Sequence, residues 1–261
     1  MGASSLPSIA ELRAVTQPDS LLARPGAEHW AGRLYMRRLS PYVTRLFAAT
    51  PLSADAVTAL MIPAGLLAAL SLTLSGLPGA AGAVVLAQIW LLLDCCDGEL
   101  ARWRRTVSPV GIYLDGVSHA VVQAALPAAL GIRAAGGWHS LDGWTMLGLA
   151  VSVLVLFVSV ESYLVHFVRA QTGKPVLEAG GEGLSPRPRA VRTLRQAIGF
   201  VPFYRAFNPI EATFIAFAAA VADVFRDDLL ATHVLLLALL AAAVLTAVGH
   251  LIVIVASDRL R

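Results

Sequence analysis

The sequence predicts an all-α integral membrane protein, a bundle of six transmembrane helices preceded by an amphipathic helix in the membrane interface. Of the 261 residues, 57% are hydrophobic and 14% are charged, whereas soluble domains carry about 25% charged residues. The net charge of +3 does not indicate a nucleic-acid partner, because the basic residues lie between long apolar runs. The composition therefore excludes a soluble enzyme, a nucleic-acid-binding domain and a disordered protein.

Six apolar stretches have about the length of a membrane-spanning helix, which needs about 20 residues to cross a hydrocarbon core of about 30 Å. They cover residues 55–76, 80–101, 109–132, 143–168, 208–225 and 229–256, and the fifth is the shortest. We expect one domain over residues 50–256, interrupted by a cytoplasmic loop at about residues 170–206. That loop is rich in glycine, proline and arginine, which is typical of a flexible segment. We expect residues 257–261 to be a short cytoplasmic C-terminus.

The positive charges indicate the orientation, because cytoplasmic loops carry an excess of arginine and lysine. Eighteen of the twenty basic residues fall on one side of the predicted membrane. Six precede the first span, three lie between the second and third spans, seven lie between the fourth and fifth, and two follow the sixth. Arg133 and Arg226 fall on the other side. We therefore expect an integral protein of a cytoplasmic-type membrane with both termini in the cytoplasm.

Residues 29–49 have the pattern of an interfacial amphipathic helix, and residues 1–28 that of a flexible cytoplasmic tail. At 100° per residue, four arginines share one face, namely Arg33, Arg37, Arg38 and Arg45. The opposite face carries Tyr35, Leu39, Tyr42, Val43 and Leu46. A basic face opposite an apolar one suits anionic headgroups, and Ser40-Pro41 is expected to divide the helix into two pieces. An irregular basic segment is the alternative.

Acidic side chains occur where the second and third predicted spans approach the cytoplasm. An aspartate near the centre of a membrane helix costs about 2.5–3.5 kcal/mol, and less toward the interface. Asp94 and Asp97 are three residues apart and share a helix face. Asp115 and His119 are four residues apart on the next helix. Because the intervening loop is short, we expect antiparallel neighbouring helices whose polar faces meet near the cytoplasmic leaflet.

Three converging carboxylates with an imidazole suit a hard divalent cation such as Mg²⁺ or Mn²⁺. Such an ion keeps bonds to substrate phosphates, so the site indicates a phosphate-bearing ligand. Alternatively, each aspartate pairs with a nearby arginine such as Arg102, but one arginine does not balance three carboxylates. A divalent-cation transporter is a further alternative, since intramembrane carboxylates also mark ion pathways. A transporter would commonly show polar residues across the membrane and an internal repeat, and neither is visible.

Seven residues of this stretch recur in a known pattern. The pattern reads D-x-x-D-G-x-x-A-R, eight further residues, then G-x-x-x-D-x-x-x-D. The matching residues are Asp94, Asp97, Gly98, Ala101, Arg102, Gly111 and Asp115, with Trp103 to Val110 as the spacer. This is the signature of the CDP-alcohol phosphotransferases, integral-membrane enzymes of phospholipid synthesis, and the chain resembles that family. The six-span layout and Thr50-Pro51 followed by Val57-Thr58 are also similar, although Asp55 stands near where asparagine is usual.

The resemblance implies a transferase that moves a substituted phosphate from a CDP-linked donor to an alcohol acceptor and releases CMP. It implies a Mg²⁺ or Mn²⁺ cofactor held by Asp94, Asp97 and Asp115. It places the CDP moiety against four further positions, which are Gly98, Ala101, Arg102 and Gly111. One of the two substrates carries the lipid, and the residues do not indicate which. A homodimer is implied by the family alone.

One position departs from the family pattern, because His119 stands where the last aspartate is expected. In the family that aspartate is the general base toward the acceptor hydroxyl. A neutral imidazole can accept that proton and can also bind metal, but it supplies no negative charge. We expect either His119 as the catalytic base over a less anionic metal site or weakened binding of a second ion. A degenerate, inactive homologue is the third alternative.

Other polar groups carry less decisive signals. We expect four side chains near the same membrane face to line an acceptor pocket or to pair between helices, namely Glu161, His166, Asn208 and Glu211. Arg104 and Arg105 either bind a phosphorylated acceptor or are solvated. His233 and His250 are expected to be structural.

Overall fold

The computed structural model of the protein describes residues 6–18, 29–174 and 203–256, and every regular element in these ranges is helical. The elements are α1 (Ile9–Thr16), a π-helical segment (Gly32–Met36) that continues into α2 (Arg37–Ala48), α3 (Ala54–Thr73), α4 (Gly76–Arg104), α5 (Pro109–Ala134), α6 (Gly143–Gln171), a 3₁₀ helix (Phe203–Phe207), α7 (Pro209–Arg226) and α8 (Leu230–Ala256). The all-α prediction is confirmed over these ranges. The rest of the predicted tail, most of the loop at 170–206 and residues 257–261 lie outside them.

Each predicted span corresponds to a helix, but only four of the described helices are long and apolar enough to cross a membrane. These four are α3, α4, α6 and α8. Helix α7 has 18 residues, three of them charged, namely Glu211, Asp223 and Arg226. Helix α5 carries the polar residues Asp115 and His119 together with Arg133. The structure therefore supports a membrane protein with four candidate spans, and the six-span layout stays a prediction.

The first of two compact units comprises the chain up to Leu67 together with Val85–Val121. It contains α1, α2, most of α3, the C-terminal part of α4 and the N-terminal half of α5. Its buried core includes Val57 from α3 and Cys96 and Leu100 from α4, with Val43 and Phe47 of α2 packed against them. These contacts hold α2 and α3 against the part of α4 that carries the acidic motif.

The second unit comprises Ala68–Val84 and the chain from Val122 onward. Helix α8 packs against α6 and α7. Helices α5 and α6 approach closely at two glycines, since a Cβ on Gly131 would lie 2.8 Å from the Cα of Gly148. The hydroxyl of Ser152 lies 2.7 Å from the carbonyl oxygen of Ala124 across the same contact. Small residues thus let these two helices pack backbone to backbone.

Helix α2 has three faces rather than the two predicted. Leu34, Leu39, Tyr42 and Leu46 are exposed, and a third stripe of Met36, Ser40 and Thr44 is buried. The predicted break at Ser40-Pro41 is wrong, because the helix continues through Pro41. Proline lacks an N–H and so leaves the carbonyl of Arg37, four residues earlier, without its helical donor. The side-chain amide of Gln17 donates to that carbonyl at 3.0 Å instead.

Helix α1 lies within the segment predicted as a flexible tail, and the sequence analysis did not anticipate it. A capping box begins the helix, in which Ser8 accepts from the backbone of Glu11 while the Glu11 carboxylate accepts from the backbone N–H of Ser8 at 2.7 Å. These hydrogen bonds lower the pKa of Glu11. Leu12 and Thr16 are fully buried, so α1 packs against the chain along one stripe.

Candidate active site

The α4–α5 hairpin brings the motif residues together because only residues 105–108 connect the two helices. Arg105 has a φ of 56°, a left-handed turn that ends α4, and Thr106 donates to the carbonyl of Ala101 at 2.9 Å. Ser108 caps α5, since its hydroxyl accepts from the backbone N–H of Gly111 at 2.9 Å and Pro109 follows it. The same hydroxyl donates to Asp55 at 2.7 Å, which ties the start of α3 to the start of α5.

Three predicted site residues converge on one point, Asp94 of α4 and Asp115 and His119 of α5. Each offers a ligand atom, and these atoms lie within 4.8 Å of one another. The Nε2 atom of His119 is 3.7 Å from Asp94 Oδ1, and its Nδ1 atom is 3.2 Å from Asp115 Oδ1 and 3.1 Å from the Asp115 carbonyl oxygen. Because Nδ1 faces two acceptors, a proton on Nδ1 leaves the lone pair of Nε2 turned toward Asp94.

Trp90 packs against this cluster, and the sequence analysis did not single it out. Its indole N–H donates to the hydroxyl of Ser118 at 3.0 Å in a buried position. Its ring meets the ring of His119 edge-on, with centroids 4.8 Å apart and an interplanar angle of 70°. Trp90 lies one helical turn before Asp94, and Ser118 immediately precedes His119. This spacing was the sequence signal that could have placed both residues next to the cluster.

A cavity of about 180 Å³ lies beside the cluster. All four residues predicted to contact the CDP moiety line it, namely Gly98, Ala101, Arg102 and Gly111. Asp115 belongs both to the cavity wall and to the cluster. A Cβ at Gly111 would lie 2.7 Å from Asp55 Oδ1, so a side chain at this position would require the Asp55 carboxylate to move. The cavity therefore joins the acidic cluster to a wall made of small residues and one arginine.

Asp97, the third predicted metal ligand, lines the cavity but is not among the three converging groups. Its Oδ2 accepts from the hydroxyl of Thr58 at 2.7 Å, and its Oδ1 accepts from the backbone N–H of Gly98. Thr58 belongs to the Val57-Thr58 pair noted in the sequence. The structure thus holds Asp97 on the cavity side, one turn away from Asp94.

Glu99, within the same motif, is fully buried, and the sequence analysis gave it no role. Its carboxylate accepts from Gln17 at 2.7 Å, Ser40 at 2.6 Å and Thr44 at 2.7 Å. Arg37 adds a charged contact at 3.3 Å. Since Gln17 follows α1 and the other partners lie on α2, one buried carboxylate joins both N-terminal helices to α4. Ser40 and Thr44 are four residues apart and so share one face of α2. This polar face was the sequence signal for a buried polar partner.

Two arginines at the end of α4 bind backbone carbonyls. Arg102 donates from Nε to the carbonyl of Thr16 at 2.8 Å, so α1 orients a residue that lines the cavity. Arg104 donates to carbonyls in the last turn of α2 and just beyond it, including Phe47 at 3.1 Å and Thr50 at 2.7 Å. Arg104 therefore caps α2, a role that the sequence analysis did not anticipate.

The polar residues predicted around an acceptor pocket take separate positions in the second unit. Glu161 accepts from Nδ1 of His250 at 2.9 Å, which is the pairing between helices that was one of the two expectations. Asn208 lines a cavity of about 130 Å³ together with Gln123. His166 is exposed, and Glu211 lies in the first turn of α7. His233 stacks on Trp144 with ring centroids 4.0 Å apart.

Two carboxylates and one imidazole form a donor set that fits a divalent cation, because Mg²⁺ and Mn²⁺ take oxygen ligands and Mn²⁺ also accepts imidazole. The three groups are 29%, 47% and 36% exposed for Asp94, Asp115 and His119, so an ion and a substrate can both reach them. Among known proteins, no family model matches the chain and no curated protein matches it.

Proposed function

We propose that the protein is a metal-dependent membrane transferase that moves a substituted phosphate from a CDP-linked donor to an alcohol acceptor and releases CMP. The observation that carries this proposal is the position of Asp115, which belongs both to a cluster suited to a cation and to a cavity lined by Gly98, Ala101, Arg102 and Gly111. A donor with a pyrophosphate needs a cation beside a groove that admits its nucleotide.

In this proposal the acidic residues bind the metal ion, and the other cavity residues bind the nucleotide. Asp94 and Asp115 would hold Mg²⁺ or Mn²⁺, with Asp97 on the cavity side. The ion, when bound, would offset the charge of the pyrophosphate and of the departing CMP. Gly98, Ala101 and Gly111 leave room for the nucleotide along the helices. Arg102, oriented by the Thr16 carbonyl, faces the same cavity and offers its remaining N–H groups to a phosphate oxygen.

His119 is assigned as the proton acceptor. The acceptor hydroxyl attacks the donor phosphorus that bears the substituent, an O–P bond forms, and the bond from that phosphorus to the oxygen of CMP breaks. The hydroxyl proton passes to Nε2 of His119 and then leaves with CMP or solvent. Nδ1 lies 3.2 Å from Asp115 Oδ1, and the ring of Trp90 packs against the imidazole, so both contacts orient Nε2.

A membrane setting accounts for this polar site in an apolar protein. The proposed arrangement has six spans, a lead-in helix at the interface, both termini in the cytoplasm and the site near the cytoplasmic leaflet. There it can admit a water-soluble substrate from one side and a lipid from the other. One substrate is a lipid, which points to phospholipid or related lipid-linked synthesis, and a homodimer is part of the proposal.

The test is CMP release by the purified full-length protein supplied with Mg²⁺, a panel of CDP-linked donors and alcohol acceptors. We expect release with at least one pair of substrates and its loss on chelation of the metal. Asp97→Ala and His119→Ala should lower turnover by about 100-fold or more, the range for loss of a positioned acid–base or electrostatic group. Asp228→Ala, an exposed carboxylate between α7 and α8, is the matched control and should retain activity.

Two results would overturn the proposal. One is the absence of CMP release with every CDP-linked donor from a folded protein that still binds Mg²⁺, which would identify a degenerate homologue. The other is metal flux into sealed vesicles that contain the protein, abolished by the same substitutions, which would identify a transporter.

A further inference from the structure

A groove of about 700 Å³ lies between α1 and the π-helical segment with α2. Three arginines line it, one from α1 and two from α2, namely Arg13, Arg37 and Arg38. Its apolar lining comes from Leu34, Leu39 and Tyr42. Within the described part of the chain, the groove shares no lining residue with the cavity beside the acidic cluster.

Hydrogen bonds from side chains to backbone carbonyls join the two sides of the groove. Arg13 donates to the carbonyl of Arg38 at 3.2 Å, and Gln17 donates to the carbonyl of Arg37 at 3.0 Å. These bonds draw α1 onto α2 and so place like charges side by side, which is unfavourable unless an anion lies among them. Among the residues that the structure describes, no carboxylate lines the groove, and Glu99, buried beneath it, contacts Arg37. The groove is therefore electropositive and suited to phosphate.

The apolar side chains of the groove are unusually exposed. The exposed fractions are 62% for Leu34, 49% for Leu39 and 54% for Tyr42. Tyr35 adds a phenol that donates to Gln88 at 2.6 Å, and burial raises its pKa, so it stays neutral beside the arginines. A small inorganic anion would leave the leucines in water. A ligand with an anionic head and an acyl chain would cover both surfaces.

We propose that this groove binds one molecule of an anionic phospholipid, with the headgroup phosphate among Arg13, Arg37 and Arg38 and an acyl chain along Leu34, Leu39 and Tyr42. The site does not depend on the transferase reaction. Its occupation would fasten α1 to α2, because the headgroup bridges the two helices. Since Gln17 of this segment contacts Glu99 and Thr16 contacts Arg102, a bound lipid would also steady the end of α4.

The test is native mass spectrometry of the full-length protein in detergent, titrated with phosphatidylglycerol or with zwitterionic phosphatidylcholine. We expect one phosphatidylglycerol to be retained preferentially. Arg38→Gln and Arg13→Gln should each weaken its binding about fivefold, which corresponds to about 1 kcal/mol per surface arginine. Arg33→Gln is the matched control, since Arg33 is exposed on the adjoining π-helical segment but does not line the groove. Arg38→Gln leaves in place the hydrogen bonds that the backbone carbonyls of Arg37 and Arg38 accept. A loss of lipid binding in this variant would therefore not result from detachment of α1.

Three results would overturn the inference. Equal losses in Arg33→Gln and Arg38→Gln would mean diffuse attraction to the basic helix. Equal retention of phosphatidylcholine would remove the role of charge. Displacement of the lipid by millimolar glycerophosphate as effectively as by fresh phosphatidylglycerol would mean a phosphate site without an acyl-chain component.

Discussion

Two acidic side chains five residues apart on α4, Glu99 and Asp94, differ in how the protein surrounds them. Glu99 is fully buried and accepts from three uncharged side chains and from Arg37. The Asp94 side chain is 29% exposed, and its contact with His119 is 3.7 Å long, beyond hydrogen-bond distance. A second carboxylate, Asp115, belongs to the same cluster. Glu99 is thus surrounded by hydrogen-bond donors, whereas Asp94 lies close to a second carboxylate.

This difference distinguishes a carboxylate that joins helices, Glu99, from one that we propose binds a cation, Asp94. Removing one partner of a buried, hydrogen-bonded charge is strongly destabilising, because the remaining charge is left uncompensated. A carboxylate placed beside another carboxylate lowers stability until a cation binds, and such arrangements persist where function requires them. The signature pattern includes Asp94 and leaves the position of Glu99 unspecified, yet Glu99 is the residue whose contacts join three helices.

The largest expected effect is an opposite response of the two residues to the same chemical change, carboxylate to carboxamide. Glu99→Gln removes the charge that faces Arg37 and turns a donor toward other donors. It should destabilise the protein by about 2–3 kcal/mol, which lowers the thermal midpoint in detergent by about 5–10 °C. Asp94→Asn relieves repulsion with Asp115, so the metal-free midpoint should be unchanged or higher. CMP release should nevertheless fall by about 100-fold or more.

Thermal midpoints measured with and without Mg²⁺ provide the control. Wild type and Glu99→Gln should both be stabilised by added Mg²⁺, and Asp94→Asn should lose most of that gain. If Asp94→Asn lowered the metal-free midpoint as much as Glu99→Gln does, the two carboxylates would both be structural and the comparison would fail.

His119 gives the second effect and distinguishes a base from a metal ligand. His119→Gln should lower turnover by about 100-fold, because the amide cannot accept a proton at neutral pH. His119→Asp restores the aspartate of the family pattern and should recover at least a tenth of wild-type activity. Its rate should persist to lower pH than that of wild type, since a carboxylate stays ionised where an imidazole is protonated. The measurement is the pH profile of CMP release at saturating Mg²⁺.

The dependence of the rate on Mg²⁺ concentration separates the two roles. A base at position 119 predicts that His119→Gln lowers the maximal rate with little change in the Mg²⁺ requirement. If excess Mg²⁺ instead rescued His119→Gln to wild-type turnover, His119 would be a metal ligand rather than the base.

The helices were predictable because they rest on local sequence signals. Runs of apolar residues and the short turn before Ser108-Pro109 place α4 and α5 correctly, and the motif spacing predicts that Asp94, Asp115 and His119 converge. The fifth predicted span is a helix of borderline character because its three charged residues interrupt a run of only 18 residues. Hydropathy alone does not decide such a case.

Contacts distant in sequence were not predictable from local patterns. Helix α1 is only 8 residues long, too short to be stable alone, and it depends on packing that no local pattern reveals. The role of Glu99 depends on partners up to 82 residues away. Continuation of α2 through Pro41 follows from a side chain, Gln17, that replaces the missing backbone donor. The capping role of Arg104 was not predictable because the carbonyls that it contacts lie more than 50 residues away in the sequence.

The smallest expected effect concerns α1, whose contacts supply one of the four partners of Glu99. Hydrogen bonds from Ser8 lower the pKa of Glu11, so the ionised carboxylate stabilises the folded helix. That stabilisation is fully present above the unfolded pKa of a glutamate and is lost as the pH falls through the lower, folded value. Amide hydrogen-exchange protection of α1, corrected for intrinsic rates, should therefore decrease between pH 7 and pH 3.

Glu11→Gln and Ser8→Ala test this capping box from both sides. Glu11→Gln should remove most of the pH dependence of α1 protection, and Ser8→Ala should lower protection at pH 7 by about fivefold, the value of a typical N-cap. Glu99→Gln should lower α1 protection at both pH values, because it weakens the attachment of Gln17 rather than the cap. If protection in the wild type were independent of pH and Ser8→Ala had no effect, the helix would be held by its buried stripe of Leu12 and Thr16 alone. The donors around Glu99 would then be fixed by packing and not by the folding of α1.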